Sequence, residues 1–281
     1  MLPQEQSDEA LRQRYAIAFK AQSWWGYGIA LGMFALLVYG LVHLGFSLPK
    51  LIAGIANLGK FVVFMFPPSF GEYQDLIRYL HALGETVAIA FLGTLLAAMI
   101  AFPLGFFAAK NATVSQVLRF FARRSFDTLR GVDMLIWALI WVNVVGLGPF
   151  AGVLAIMSSD IGSFGKLFSE AIEASDKRPV EGVLAAGGSR LHSIRFGIIP
   201  QVLPVLISQV LYYFESNTRS ATIIGIVGAG GIGLTLSEQI RTLEWQTVSF
   251  LIILILLTVT AIDFLSTKLR KAIAGDAQTS I

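Results

Sequence analysis

The chain has 281 residues, 55% of them hydrophobic and only 14% charged, with a formal net charge of +3 and no cysteine. Soluble domains carry about 25% charged residues, so a depletion spread over most of the chain indicates a membrane protein rather than a soluble domain. The missing cysteine excludes disulfides, thiolate metal sites and cysteine nucleophiles, and the scattered His43, His81 and His192 suggest no metal site.

A membrane-crossing helix needs about 20 mostly apolar residues. Residues 1–22 are polar and read as a short cytoplasmic segment. Residues 23–79 hold the first span, within Ala21–Pro49, which carries no acidic or basic residue apart from His43, and an external segment. That span is too deep and too long for a cleaved signal peptide. In the external segment, Leu51–Phe66 is apolar but interrupted by Lys60 and glycines, which predicts an interfacial helix ended by Pro67 and Pro68. Its stretch Gly54–Phe61 has the glycine and lysine spacing of a phosphate-binding loop. Phe61 stands where the magnesium-binding hydroxyl belongs, so no ATP site is expected. Residues 80–271 form the main membrane domain. Its predicted spans are Thr86–Ala109, Met134–Ser159, Ile161–Ala174 (interrupted by Lys166, Glu170 and Glu173), Phe196–Phe214 and Trp245–Ile262, before a cytoplasmic tail at 272–281. The expected fold class is therefore all-α, a polytopic protein of about six transmembrane helices.

Basic residues orient such a chain, because they accumulate on the cytoplasmic side. Arg12, Arg14 and Lys20 precede the first span. Lys110, Arg119, Arg123, Arg124 and Arg130 fall between the second and third. Lys177, Arg178, Arg190 and Arg195 fall between the fourth and fifth, and Lys268, Arg270 and Lys271 follow the sixth. The opposite side receives only Lys50, Lys60, Arg78, Arg219 and Arg241. Both termini are thus expected in the cytoplasm.

The loop between the fourth and fifth spans, 177–197, is the most informative. Val180–Pro200 reads VEGVLAAGGSRLHSIRFGIIP. Physically it predicts a short amphipathic helix, a turn permitted by Gly187 and Gly188, and a rigid start to the fifth span. Glu181, Gly187, Ile198 and Pro200 stand at the spacing of the coupling-loop signature of ABC importer permeases, which the loop resembles; Gly182 and Val183 replace its two alanines. An ordinary amphipathic cytoplasmic loop is the plainer alternative. A longer resemblance extends from about residue 80 to 271, to the permease subunit of the phosphonate ABC transporter family. It is carried by Val145–Leu154 with Gly165–Glu173, by Pro179–Ile207, and most specifically by Phe214–Gly233, FESNTRSATIIGIVGAGGIG. Permeases of the phosphite branch look similar there.

The resemblance implies a type I ABC importer permease fold and a pathway for phosphonate-type anions across the inner membrane. It implies that Glu181, Gly187, Gly188, Arg190 and Pro200 serve coupling to a cytoplasmic ABC ATPase dimer. It further implies a second permease copy, a periplasmic substrate-binding protein, and surrounding membrane lipid, with no nucleic acid. ATP and magnesium would sit in the ATPase, no cofactor on this chain, and the chain would not be an enzyme.

Two features of the last stretch have competing readings. Gly228, Gly230 and Gly233 fit the spacing G-x-G-x-x-G, but no acid lies about 20 residues on and a span follows, so a dinucleotide fold is not expected. With Gly231 these are read as structural glycines that let helices approach closely. Glu215 and Arg219, four apart, share a helix face. They form either an interfacial salt bridge at the outer end of the fifth span, or, with Asn217, Ser220 and Thr222, part of an anion pathway near its outer gate, where a guanidinium suits a phosphonate. Phosphite or another phosphorus oxyanion remains an alternative cargo. An ion-coupled secondary transporter would need in-span acids and paired repeats, and an intramembrane enzyme a catalytic set; neither is visible. Asp133, at the start of the third span, is expected to be a cap or an interfacial residue.

Overall fold

The computed structural model describes the backbone of residues 4–113 and 115–278 and the side chains of 24–113 and 115–273. All regular structure among the described residues is helical. The chain divides into two units, 1–63 and 64–281. The first holds α1 (Gln4–His43) and most of α2 (Leu48–Phe64). Within α1, Trp24–His43 is long and apolar enough to cross a membrane. Gly45, at φ +64°, breaks the chain after it. α2 covers most of the predicted interfacial helix, ending two residues earlier, and buries none of its residues. The stretch Gly54–Phe61 lies inside α2, so its backbone N–H groups are spent on helix bonds and cannot cradle a phosphate.

The second unit is built on α3 (Tyr73–Ala108) and α6 (Pro149–Glu173). The two run parallel and in close contact. A methyl added at Gly93 would lie 2.7 Å from Ile156 Cβ, and one added at Gly105 would lie 3.1 Å from Phe168 Cβ. Ala90, Ala97, Ala101 and Ala108 are fully buried on α3. Small residues on this face let the backbones approach closely, which is how helices gain packing where lipid supplies no hydrophobic drive. The chain returns between them through α4 (Gln116–Arg130) and α5 (Met134–Val145), which meet at 87°. α4 opens on Ser115, whose hydroxyl accepts from Leu118 N, and α5 on Asp133, whose carboxylate accepts from Leu135 N. After α6 come α7 (Lys177–Ala185), the three-residue α8 (Arg190–His192), a π turn over Ser193–Ile198, α9 (Ile199–Ile226), α10 (Gly231–Arg241) and α11 (Trp245–Gln278).

Four helical stretches are long and apolar enough to cross a membrane, and the bent pair α4–α5 brings this to five. α6 has 25 residues, enough length to cross, but carries Asp160, Lys166, Glu170 and Glu173. Four or five crossing stretches among the described residues are roughly consistent with the expected count of about six, with two boundaries displaced from expectation. The predicted span Met134–Ser159 is broken at Gly146–Gly148, where both glycines have positive φ and Pro149 starts a new helix. The predicted break near residue 160 is instead the middle of α6. Glycine geometry overrode a continuous apolar run at the first position, and a buried hydrogen bond carried the helix past a charge at the second. Likewise α9 continues beyond Phe214 to Ile226.

Candidate functional site

The loop after α6 is a built element. Asp176 caps α7 through a bond from Arg178 N, and no residue of α7 is buried. The helix ends in a Schellman motif: Gly188 N donates to Val183 O at 2.9 Å and Gly187 N to Leu184 O at 3.0 Å. Gly187 takes φ +82°, which glycine alone adopts without strain. The loop is fastened at both ends. Arg190 Nη2 donates to the carbonyls of Ala112 and Thr113 at 3.2 and 3.1 Å, beyond the end of α3. Gln201 on α9 accepts from Asp176 N at 2.9 Å and donates to Asp176 O at 3.2 Å. Val180 packs against Gly197, where a methyl would come within 3.1 Å of its Cα. Pro200 sits in the first turn of α9, where its missing N–H disturbs least. Glu181 is exposed, as are Leu184 and Leu191, the latter at 77%. The result is a projecting helix with polar and apolar contact groups, held firmly by the bundle.

Beside its root lies a polar cluster. Glu173 Oε1 accepts from Lys110 N at 2.6 Å and pairs with Arg123 at 2.8 Å and Arg119 at 3.5 Å, while Arg123 Nε donates to Ala108 O. This ties α4 to the ends of α3 and α6, next to where α7 departs.

Deeper in the bundle, Asn217 is 2% exposed and donates from Nδ2 to Thr94 Oγ1 at 2.8 Å and to Asp160 Oδ2 at 2.5 Å. Asp160 is itself 2% exposed and Thr94 1%. One amide thus links α3, α6 and α9. Thr94 and Asp160 escaped sequence reasoning: Asp160 fell between two predicted spans, and a lone threonine in an apolar run carries no signal.

On another face of α9, Glu215 Oε1 pairs with Arg219 at 3.3 Å and Glu215 Oε2 with Arg270 of α11 at 3.2 Å. The charge rule assigned Arg219 and Arg270 to opposite sides of the membrane. Both reach the carboxylate of Glu215, so they stand at one level and cannot lie on opposite sides of the membrane. Glu215 lies 11 residues before the end of α9 at Ile226, about 16 Å at 1.5 Å per residue. Glu215 therefore sits well inside the helix, whereas the sequence reading places the pair at the outer end of the fifth span. Ser220 and Thr222 return their hydroxyls to Ser216 O and Thr218 O of the same helix, both at 3.4 Å.

The glycine-rich turn knits α9 to α10. A methyl at Gly233 would collide with Thr222 O, and one at Gly230 would lie 2.7 Å from Pro149 N. Gly148 N donates to Gly228 O at 2.9 Å, so the break before α6 and the break after α9 satisfy each other. Ile232 N, beside Gly231, donates to Thr86 Oγ1 at 2.8 Å. These glycines serve backbone crossings between helices, and a dinucleotide loop is ruled out by the surrounding helices.

A helical bundle with several helices of membrane-crossing length, bearing one anchored exposed helix, defines a multi-pass membrane protein. The family of binding-protein-dependent transport system inner membrane components matches residues 101–275, and the chain belongs to that family. HtxC of Stutzerimonas stutzeri is 44% identical over 221 residues, spanning 79% of this chain and 77% of that one. The phosphite transport system permease protein PtxC of the same organism is 33% identical over 271 residues, 96% of each chain. Among solved structures, a chain of the MetNI methionine ABC transporter in an inward-facing conformation shares the fold, with TM-score 0.61 at 16% identity over 72% of this chain and 99% of that one.

Proposed function

We propose that the chain is the permease subunit of an ATP-driven importer for phosphorus oxyanions of the phosphonate and phosphite type. The observation that carries this is the loop 177–197: an exposed helix, closed by Gly187 and clamped by Arg190 and Gln201, shaped to lie in a groove of a soluble ATPase. Glu181, Gly187, Gly188, Arg190 and Pro200 act in that coupling. ATP and magnesium are held by the ATPase dimer, a binding protein delivers the anion, and a second permease copy completes the pathway. The chain itself performs no bond chemistry. Both termini face the cytoplasm, in keeping with the basic residues around the loop. Alternating access follows from ATP-dependent bias between inward- and outward-facing states. Among Glu215, Asn217, Arg219, Ser220 and Thr222, the pathway role falls to Arg219 and Glu215, since Asn217 is turned into the bundle.

Phosphite is a specific second reading of the cargo, supported by the full-length similarity to PtxC. Reconstitution with the cognate ATPase and binding protein tests both. Import of methylphosphonate or phosphite that requires ATP inside the vesicle supports the proposal, and ATP-independent import driven by an ion gradient would replace it with a secondary transporter.

A further inference from the structure

Resting on the reading of the protein as an oxyanion permease, we infer that Arg219 and Arg270 form a two-guanidinium fork that binds the anion in transit, and that Glu215 is a tethered counter-anion occupying the fork when no cargo is there. Three observations lead to this. The carboxylate is shared between two helices: each of its oxygens takes a different guanidinium, Oε1 from Arg219 on α9 and Oε2 from Arg270 on α11. A tetrahedral oxyanion presents the same pair of acceptor oxygens, so it can replace the carboxylate bond for bond.

The second observation is exposure. The Glu215 side chain is 10% exposed and that of Arg270 25%, whereas that of Arg219 is 51% exposed. A half-exposed guanidinium within a membrane span is costly against lipid, so this face of α9 must meet water or protein. Among the described residues Arg219 makes no hydrogen bond beyond that to Glu215, so most of its donors are free for an entering anion. Arg270, by contrast, is positioned in advance: Nη2 also donates to Thr267 Oγ1 at 3.0 Å, and its guanidinium lies 5.9 Å from the centroid of the Tyr212 ring.

The third is charge. Two guanidiniums and one carboxylate leave one net positive charge. Two uncompensated cations at this depth would hold a phosphonate too firmly to release, and none would leave its lost hydration unanswered. The carboxylate sets an intermediate strength by competing for the same donors, so cargo exchanges one set of charge-assisted bonds for another. No covalent bond is made or broken.

The test uses the intact permease–ATPase complex in nanodiscs, with radiolabelled inorganic phosphate and methylphosphonate measured by equilibrium dialysis, and uptake per assembled complex measured in parallel. Glu215→Gln keeps the side-chain shape and removes the competing charge. It is expected to tighten binding of both probes about tenfold while uptake per complex falls, because release becomes slow. Adding Arg219→Gln and Arg270→Gln to that variant should return binding to the wild-type level or below. Unchanged binding in Glu215→Gln overturns the inference, as does tightening that survives in the triple variant. Should Glu215→Gln fail to assemble, Glu215→Asp withdraws the carboxylate by one methylene and is judged by the same two criteria. The outcomes separate from those of the proposed function, which fails if the wild-type complex hydrolyses ATP but imports neither methylphosphonate nor phosphite, whatever the binding assay shows.

Discussion

Asp160 illustrates what a single residue can decide. A carboxyl group 2% exposed inside a helical bundle survives only with a partner, and Asn217 provides it. Asp160→Ala leaves the Asn217 amide with only Thr94, and should destabilise the protein by about 1–3 kcal/mol, read as a lower unfolding temperature of the purified chain in detergent. Asp160→Asn keeps a hydrogen-bonding partner and should lose less. Equal stability of all three proteins would remove the network from the forces holding the bundle. Gly233 decides a different matter. Any side chain there meets Thr222 O, a backbone atom that cannot swing aside. Gly233→Val should therefore abolish folding or leave only trace protein in the membrane, whereas Gly182→Ala, at a position with open space, should be tolerated. The sequence exposed the glycines by their density but concealed Asp160, because hydropathy averages over neighbours and says nothing about which buried group a distant amide will reach.

At the scale of elements, the loop 177–197 was legible almost residue by residue. Its helix, turn and span start are local structures whose signals, Asp176, Gly187 and Pro200, lie within the segment itself. Its anchors were not legible, since Arg190 reaches carbonyls 77 and 78 residues earlier. Gly187→Leu forces a β-carbon into φ +82° and should distort the end of α7 at a cost of about 1–3 kcal/mol. The expected result is normal membrane insertion with ATP hydrolysis uncoupled from uptake, and charge reversal at Glu181 should act the same way through the docking face. Normal uptake by Gly187→Leu would show that the loop does not transmit. The break at Gly146–Gly148 was missed for the opposite reason. Met134–Ser159 is uninterrupted by charge, and the glycines end α5 through backbone angles that an apolar count does not register.

For the whole molecule, the basic-residue pattern makes a simple forecast. On this cysteine-free background, a cysteine at Ser189 should react with impermeant thiol reagents only in inverted vesicles. Labelling from outside in intact cells would overturn the orientation. The architecture was legible as a count of apolar stretches, while the pairing of helices was not: Glu215 and Arg270 are 55 residues apart, and Thr94 and Asn217 are 123 apart. That last pairing has a mechanical consequence. Three of the crossing helices, α3, α6 and α9, are pinned together at one buried point by Asn217, and α3 and α9 are tied again through the two fastenings of the loop, at Ala112–Thr113 and Gln201. A body held at two separated points loses most of its internal degrees of freedom. On the proposed coupling role of the loop, a displacement at α7 would be passed to these three helices together rather than to one of them alone.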